Sequence, residues 1–308
     1  TAFTMAEILL SLTIIGVVAA ITLPSLTGNI NERTWNTQRK ALFARMSQAV
    51  SLMPALNGYG TRNETTENVA ETFVTAGLSK VLKINNICDN EHLSDCGLPK
   101  KLTTLTGSVI DQFPKTFLEL CPKFNFEPEN NVNTYKFEDT KASGFETVNG
   151  ESIALYYNPA CNYEKLFAQT WGFVNSQPSV CANLIYDLNG NKGPNTVGKD
   201  IGVMTVLFAS DSMVVAPTDF KTASSTNSAP NCKQFGEEYF FADAYNLIAY
   251  FVNSRLLLNE EQASAHVWAS TKSLWQGQLT PVYLIFNSGT FGVDNSGARR
   301  TVFCMKRL

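Results

Sequence analysis

The opening stretch TAFTMAEILLSLTIIGVVAAITLPSL constrains this chain more than any other part of it. Phe3 to Leu23 is an almost wholly apolar run of 21 residues. At about 1.5 Å per helical residue it is long enough to cross a hydrocarbon core of about 30 Å. One carboxylate, Glu7, stands inside it. An acid at that depth costs on the order of 2.5–3.5 kcal/mol unless it is paired or reaches the interface, so Glu7 is expected either to find a partner or to snorkel to the interface near the helix end. No basic residue precedes the run, and the run exceeds the roughly 7–15 residues of a signal-peptide core, so a retained segment is expected rather than a cleaved leader.

Beyond Pro24 the pattern changes. Leu42, Met46, Ala49, Val50 and Met53 step by three or four and share a helical face, while Arg39, Lys40, Arg45 and Gln48 fall mostly on the other. Pro54 and Asn57-Gly58 are the stop signals. These features predict a helix of about 50 residues, roughly 75–80 Å long, followed by a polar shift into a separate head. The expected organisation is a helix over 1–56, apolar over 1–25 and amphipathic over 26–56, and a globular head over 57–308.

The segment FTMAEILLSLTIIGVVAAITLP resembles the N-terminus of type IV pilins and of the related pseudopilins of type II secretion systems. With Phe3 as the first mature residue, Glu7, Gly16 and Pro24 fall at the fifth, fourteenth and twenty-second places of the family pattern. Ala2 stands where the family's processing peptidase usually finds Gly, which leaves Thr1 or Phe3 as the mature start. The match covers about the first 30 residues. It implies an α+β, pilin-like fold in which a long N-terminal helix packs on an antiparallel β-sheet head. It also implies a structural rather than enzymatic role. The chain would reside in the cytoplasmic membrane, meet the prepilin peptidase and the assembly machinery, and join copies of itself in an extracellular filament on a bacterial surface. Glu7 would pair with the α-amino group of a neighbouring subunit, where a buried pair specifies register more than it stabilises. Gly16 and Pro24, both weak points in a helix, would let Gly16–Leu23 lose helical order in a filament. The alternatives are a minor or tip pseudopilin of a secretion system, or a single-pass membrane-anchored binding module.

Charged residues make up 17% of the chain and the net charge is −3, so no basic field exists to gather nucleic acid. The seven cysteines are widely spread and none forms a C-x-x-C pair, which disfavours zinc ribbons and thioredoxin-like motifs. They read as disulfides formed outside the cytosol. The preferred pairing is Cys88–Cys96, Cys161–Cys181 and Cys232–Cys304, with Cys121 left over; several buried thiols are the competing reading.

In the head, a helix is predicted over Thr66–Lys83 and a longer one over Tyr239–Leu258. Strands are predicted over Ser152–Tyr157, Asn183–Tyr186, Val203–Phe208, Met213–Ala216, Val282–Phe286 and Thr301–Met305. Asn-Ser-Gly at 295–297 is expected to join the last two strands antiparallel, and TASSTNSAP at 222–230 to be a surface loop, a candidate for glycosylation.

One head segment carries candidate chemistry. In YDLNGNKGPNTVGKD, Asp187, Asn189 and Asn191 alternate like the opening of a calcium loop, and Asp200 is placed to close the shell. Gly198 stands where an EF-hand needs its bidentate Glu, so the competing reading is a metal-free turn. The family resemblance adds that some pseudopilins hold calcium in a head loop. GPNTVGKD falls one residue short of a phosphate-binding loop, because Asp200 replaces the hydroxyl that holds magnesium. His92 and His266 have no matched catalytic partners in the sequence, and neither a catalytic residue nor an organic cofactor is expected.

Overall fold

The computed structural model of the chain describes residues 5–57, 69–122, 141–157, 169–170, 173–174, 180–207, 212–225, 230–275, 278–286, 290–294 and 296–307. The first element is α1, Met5–Asn57. The chain divides into two compact units, Thr1–Ala41 and Leu42–Leu308, and the division falls inside α1. Its physical basis is the apolar stripe: Leu42, Met46, Ala49, Val50 and Met53 are all buried in the second unit. In the first unit, by contrast, the apolar side chains from Leu9 to Val18 are exposed.

Within the second unit, α2 (Val69–Thr72) continues as a π turn over Phe73–Gly77 and a 3-10 turn over Leu78–Lys80. There follow β1 (Ile84–Cys88), β2 (Leu102–Thr103), β3 (Val109–Ile110), α3 (Phe117–Leu120), β4 (Ser143–Thr147) and β5 (Ser152–Tyr157). Next come β6 (Gln169–Thr170), β7 (Phe173–Val174), β8 (Val180–Asp187), β9 (Ile201–Leu207), β10 (Ser212–Val215), β11 (Phe220–Ser225) and β12 (Tyr239–Phe241). The chain ends in α4 (Ala244–Val252), α5 (Ser254–Leu257), β13 (His266–Trp275), β14 (Gln278–Ile285), β15 (Thr290–Val293) and β16 (Arg300–Lys306).

Six strands form one antiparallel sheet in the order β1-β4-β5-β8-β9-β10. Its central strands are buried at every position, which is why SIALYY, VCANLIYD and IGVMTVL read as continuous apolar runs rather than alternating ones. One face, with Ala154, Tyr156, Ile185 and Val203, joins the main core. On the other face Phe73 packs against Tyr157, with ring centroids 5.6 Å apart.

The second sheet has eight strands. Seven run in the order β11-β16-β13-β14-β15-β7-β6, and β12 pairs with β16 off that path. The main core is shared between the sheets: α4 touches β9 and β10 of the first and β13 and β14 of the second. Asp243 caps α4 by accepting the amide hydrogen of Asn246 at 2.8 Å. Asn253 ends it, because its buried side chain is bound into a polar group with Asn183 and Thr205. At the edge of this sheet β11 carries Lys221, Thr222 and Ser224 exposed, a polar edge that resists further strand pairing.

Several expectations are overturned here. The predicted α+β fold, one antiparallel sheet head packed on a long helix, gives way to a mostly β structure of three sheets with short helices between them. The larger sheet holds a parallel pair, Val267 with Thr301 and Trp268 with Val302. The reason is the amount of apolar surface: strands buried on both faces need cover on both sides, and α4 with the second sheet covers one face while the helical segment carrying Phe73 packs on the other. Among the described residues no helix is long and apolar enough to cross a membrane. The described apolar side chains at 9–18 span about 15 Å, half of the hydrocarbon thickness.

Smaller corrections follow from the same packing. β14 and β16 are not neighbours, because β13 lies between them, so the turn near 296–297 does not join them as a hairpin. Residues 222–225 belong to strand β11 rather than to a loop. Tyr239–Leu258 is not one helix but β12 followed by α4 and α5.

Candidate functional site

The loop between β8 and β9 is a tightly hydrogen-bonded polar site in the second unit. Asp187 and Ile201 are the last paired residues of the two strands, and the Leu188 amide bonds the Asp200 carbonyl at 3.0 Å. Strand β2 holds the loop from outside: Thr103 donates to the Asn195 carbonyl at 2.9 Å and accepts from Val197 at 2.8 Å. The path needs left-handed backbone at Gly190, Gly193 and Gly198, and also at Asn195, with φ of 52°. The Gly193-Pro194 bond is cis.

Asp200 organises the loop. It is fully buried, and its two carboxylate oxygens accept the amide hydrogens of Thr196 at 2.9 Å and Asn195 at 2.8 Å. Asp187 is 1% exposed; its Oδ1 accepts the Asn189 amide hydrogen at 3.0 Å, while its Oδ2 has no hydrogen-bond partner. Asn189 donates Nδ2 to the Gly193 carbonyl at 2.8 Å, leaving its buried Oδ1 without a partner, and the buried Oδ1 of Asn195 also lacks one. Burial pushes the Asp187 carboxyl up to about 7, and the Asp200 charge adds to the rise against the opposing backbone amides of Asn189 and Gly190.

Of the four residues that the spacing selects, three therefore meet in the loop: Asp187, Asn189 and Asp200. Asn191 is exposed and offers no buried oxygen. The residue that the spacing misses is Asn195, whose contribution depends on its left-handed φ and on the brace from Asp200. Among the described residues no group of three His, Cys, Asp or Glu side chains is gathered to hold a metal, so any cation here would rest on one free carboxylate oxygen and on amide oxygens.

The other predicted residues are distributed as follows. Cys88–Cys96 and Cys232–Cys304 are disulfides. Cys181 is disulfide-bonded, and Cys161 lies outside the described residues. Cys121 is a buried thiol whose Sγ points at the Phe251 carbonyl at 3.6 Å. His92 is exposed and pairs with Asp89 at 2.8 Å, which holds the Asp89 carboxyl below its usual range. His266 stacks on Tyr283 and faces Arg300, whose guanidinium lies 3.7 Å over that ring.

In the first unit Gly16 is exposed, and a Cβ there would meet nothing within 4 Å. Phe3 and the side chains of Glu7 and Pro24 lie outside the described residues. Around Gly16, Leu9, Leu10, Leu12, Ile14, Ile15, Val17 and Val18 are 55–64% exposed. The Thr13 hydroxyl donates to the Leu9 carbonyl at 2.7 Å, so this polar atom makes no demand on the helix surface. No protein-family model, curated protein or solved structure matches the chain.

Proposed function

We propose that the chain is a structural subunit of a type IV pilus-like filament and polymerises through its N-terminal helix. The observation that carries this reading is the exposed apolar surface of residues 9–18. Ten consecutive helical positions sweep the whole circumference, so laying one face against a domain cannot cover them. They need a surround. Each side chain gains on the order of 1–2 kcal/mol when its remaining surface is buried. A bundle of identical helices supplies that burial, and head-to-tail contacts that do not close on themselves extend it into an open filament. The Glu7, Gly16 and Pro24 spacing supports the same reading, with Glu7 setting the register against a neighbour's amine.

The test is mass spectrometry of filaments sheared from cells that express the full chain. The chain is expected in the sheared fraction, and Leu10→Glu with Ile15→Glu is expected to remove it from that fraction. Confinement of the unaltered chain to membranes, with none in sheared material, would replace this reading with that of an anchored binding module.

A further inference from the structure

We infer that His266 and Arg300 form a proton-sensitive latch on the face of the larger sheet opposite the main core, capping Trp268 and Tyr283 while His266 is neutral and uncapping them when it gains a proton. The two side chains face each other just beyond a parallel register of two pairs, Val267 with Thr301 and Trp268 with Val302. Arg300 Nη1 lies 3.1 Å from His266 Nδ1. A guanidinium can only donate, so Nδ1 is the acceptor and the neutral imidazole carries its proton on Nε2. A second proton, on Nδ1, removes that acceptor and sets two positive charges against each other.

The latch covers an aromatic pair. Trp268 meets Tyr283 edge-on with ring centroids 5.6 Å apart, and with Val302 they form a cluster separate from the main core. The Arg300 guanidinium lies 3.7 Å over the Tyr283 ring and 5.0 Å from the Trp268 ring, and His266 stacks on Tyr283. Under this cover Trp268 is 1% exposed and Tyr283 7%. The closed arrangement is only partly satisfied: Arg300 Nη2 pairs with Asp294, but the buried Arg300 Nε and the buried Trp268 Nε1 have no acceptor. Two unmatched buried donors weigh against it, so loss of the His266 acceptor tips it toward opening. His266 is exposed, and the proton reaches it directly. Arg300 from β16 supplies the charge that acts on the imidazole, Tyr283 from β14 stacks on it, and Asp294, in the segment after β15, holds the far amino group of Arg300. Desolvation and then the Arg300 charge keep the imidazole neutral below its ordinary range, which places the opening on the acid side of about pH 6.5. The latch lies wholly within the second unit and is independent of the filament reading.

The experiment uses the purified full chain in detergent with its four tryptophans replaced by 5-fluorotryptophan, and follows their fluorine resonances through a pH titration. Replacing Trp35, Trp171 and Trp275 one at a time with Phe assigns three signals and leaves the fourth as Trp268. That signal should shift with a one-proton midpoint below the ordinary histidine value and become open to a soluble paramagnetic agent, while the far-ultraviolet circular dichroism holds. His266→Gln keeps an acceptor that does not titrate and should lose the shift. Arg300→Ala removes the cap and should give the open signal throughout the titration. A Trp268 signal that ignores the titration, a shift that survives His266→Gln, or one that comes only with loss of circular dichroism would overturn the latch.

Discussion

Arg45 and Glu151, 106 residues apart, form an ion pair that ties the buried end of α1 to the turn between β4 and β5. Both guanidinium amino groups donate to the carboxylate, and the Thr147 hydroxyl donates to it as well. Glu151 is 5% exposed, so its charge relies on these donors. Arg45→Ala should therefore destabilise the second unit by about 1–3 kcal/mol, less than for a fully buried pair because the Arg45 side chain remains 31% exposed. Arg45→Leu with Glu151→Gln, which keeps an acceptor for Thr147, should recover more than half of that loss in denaturant unfolding. An additive double variant would show that the two side chains are not coupled.

Tyr186 lies across Gly202, its partner in the β8–β9 register, and Tyr283 lies in the same way across Gly292 between β14 and β15. A Cβ on either glycine would collide with the tyrosine ring, and both tyrosines are buried. Gly202→Ala should cost about 1–3 kcal/mol by overpacking. The cost should shrink in a Tyr186→Leu background, as read by thermal unfolding of the four combinations.

The two disulfides between described cysteines should contribute unequally. Cys232–Cys304 closes a separation of 72 residues and Cys88–Cys96 one of 8. Loop-closure entropy assigns about 4 kcal/mol to the first and about 2.5 kcal/mol to the second. Replacing the first pair with alanines should therefore lower the denaturation midpoint more than replacing the second. Equal losses would mean that local packing, rather than chain entropy, sets their value.

His266 should make stability fall on acidification. Desolvation, and then the Arg300 charge, hold its imidazole below its usual value, and Tyr283 and the Arg300–Asp294 pair complete its surroundings. A depressed histidine takes up its proton more readily in the unfolded chain, so its contribution is complete above about pH 6.5 and declines as pH falls below that. At this exposed position the effect is on the order of a few tenths of a kcal/mol. It should appear as a smaller pH 7.5-to-5.5 loss in melting temperature for His266→Gln than for the parent.

The sequence exposes its local instructions well. SIALYY is strand β5 from end to end, and the stripe from Leu42 to Met53 marks the buried end of α1. YFFADAYNLIAYFVNSRLLL misleads because apolar periodicity cannot show that Asp243 caps a helix there, or that Asn253 turns inward to Asn183 and Thr205. The site divides in the same way. The alternation of Asp187 and Asn189 can be read directly, whereas Asn191 and Asn195 exchange roles only once the loop has closed.

Taken alone, the amino-acid order determined where apolar surface would accumulate and that Glu7 stands in an apolar run. These are properties of neighbours along the chain. The tertiary structure decided that two large sheets share one core, that β13 runs parallel to β16, and that three oxygens of one loop are buried without donors. Those outcomes depend on contacts between residues distant in sequence, whose loop-closure costs and burial gains no local pattern records.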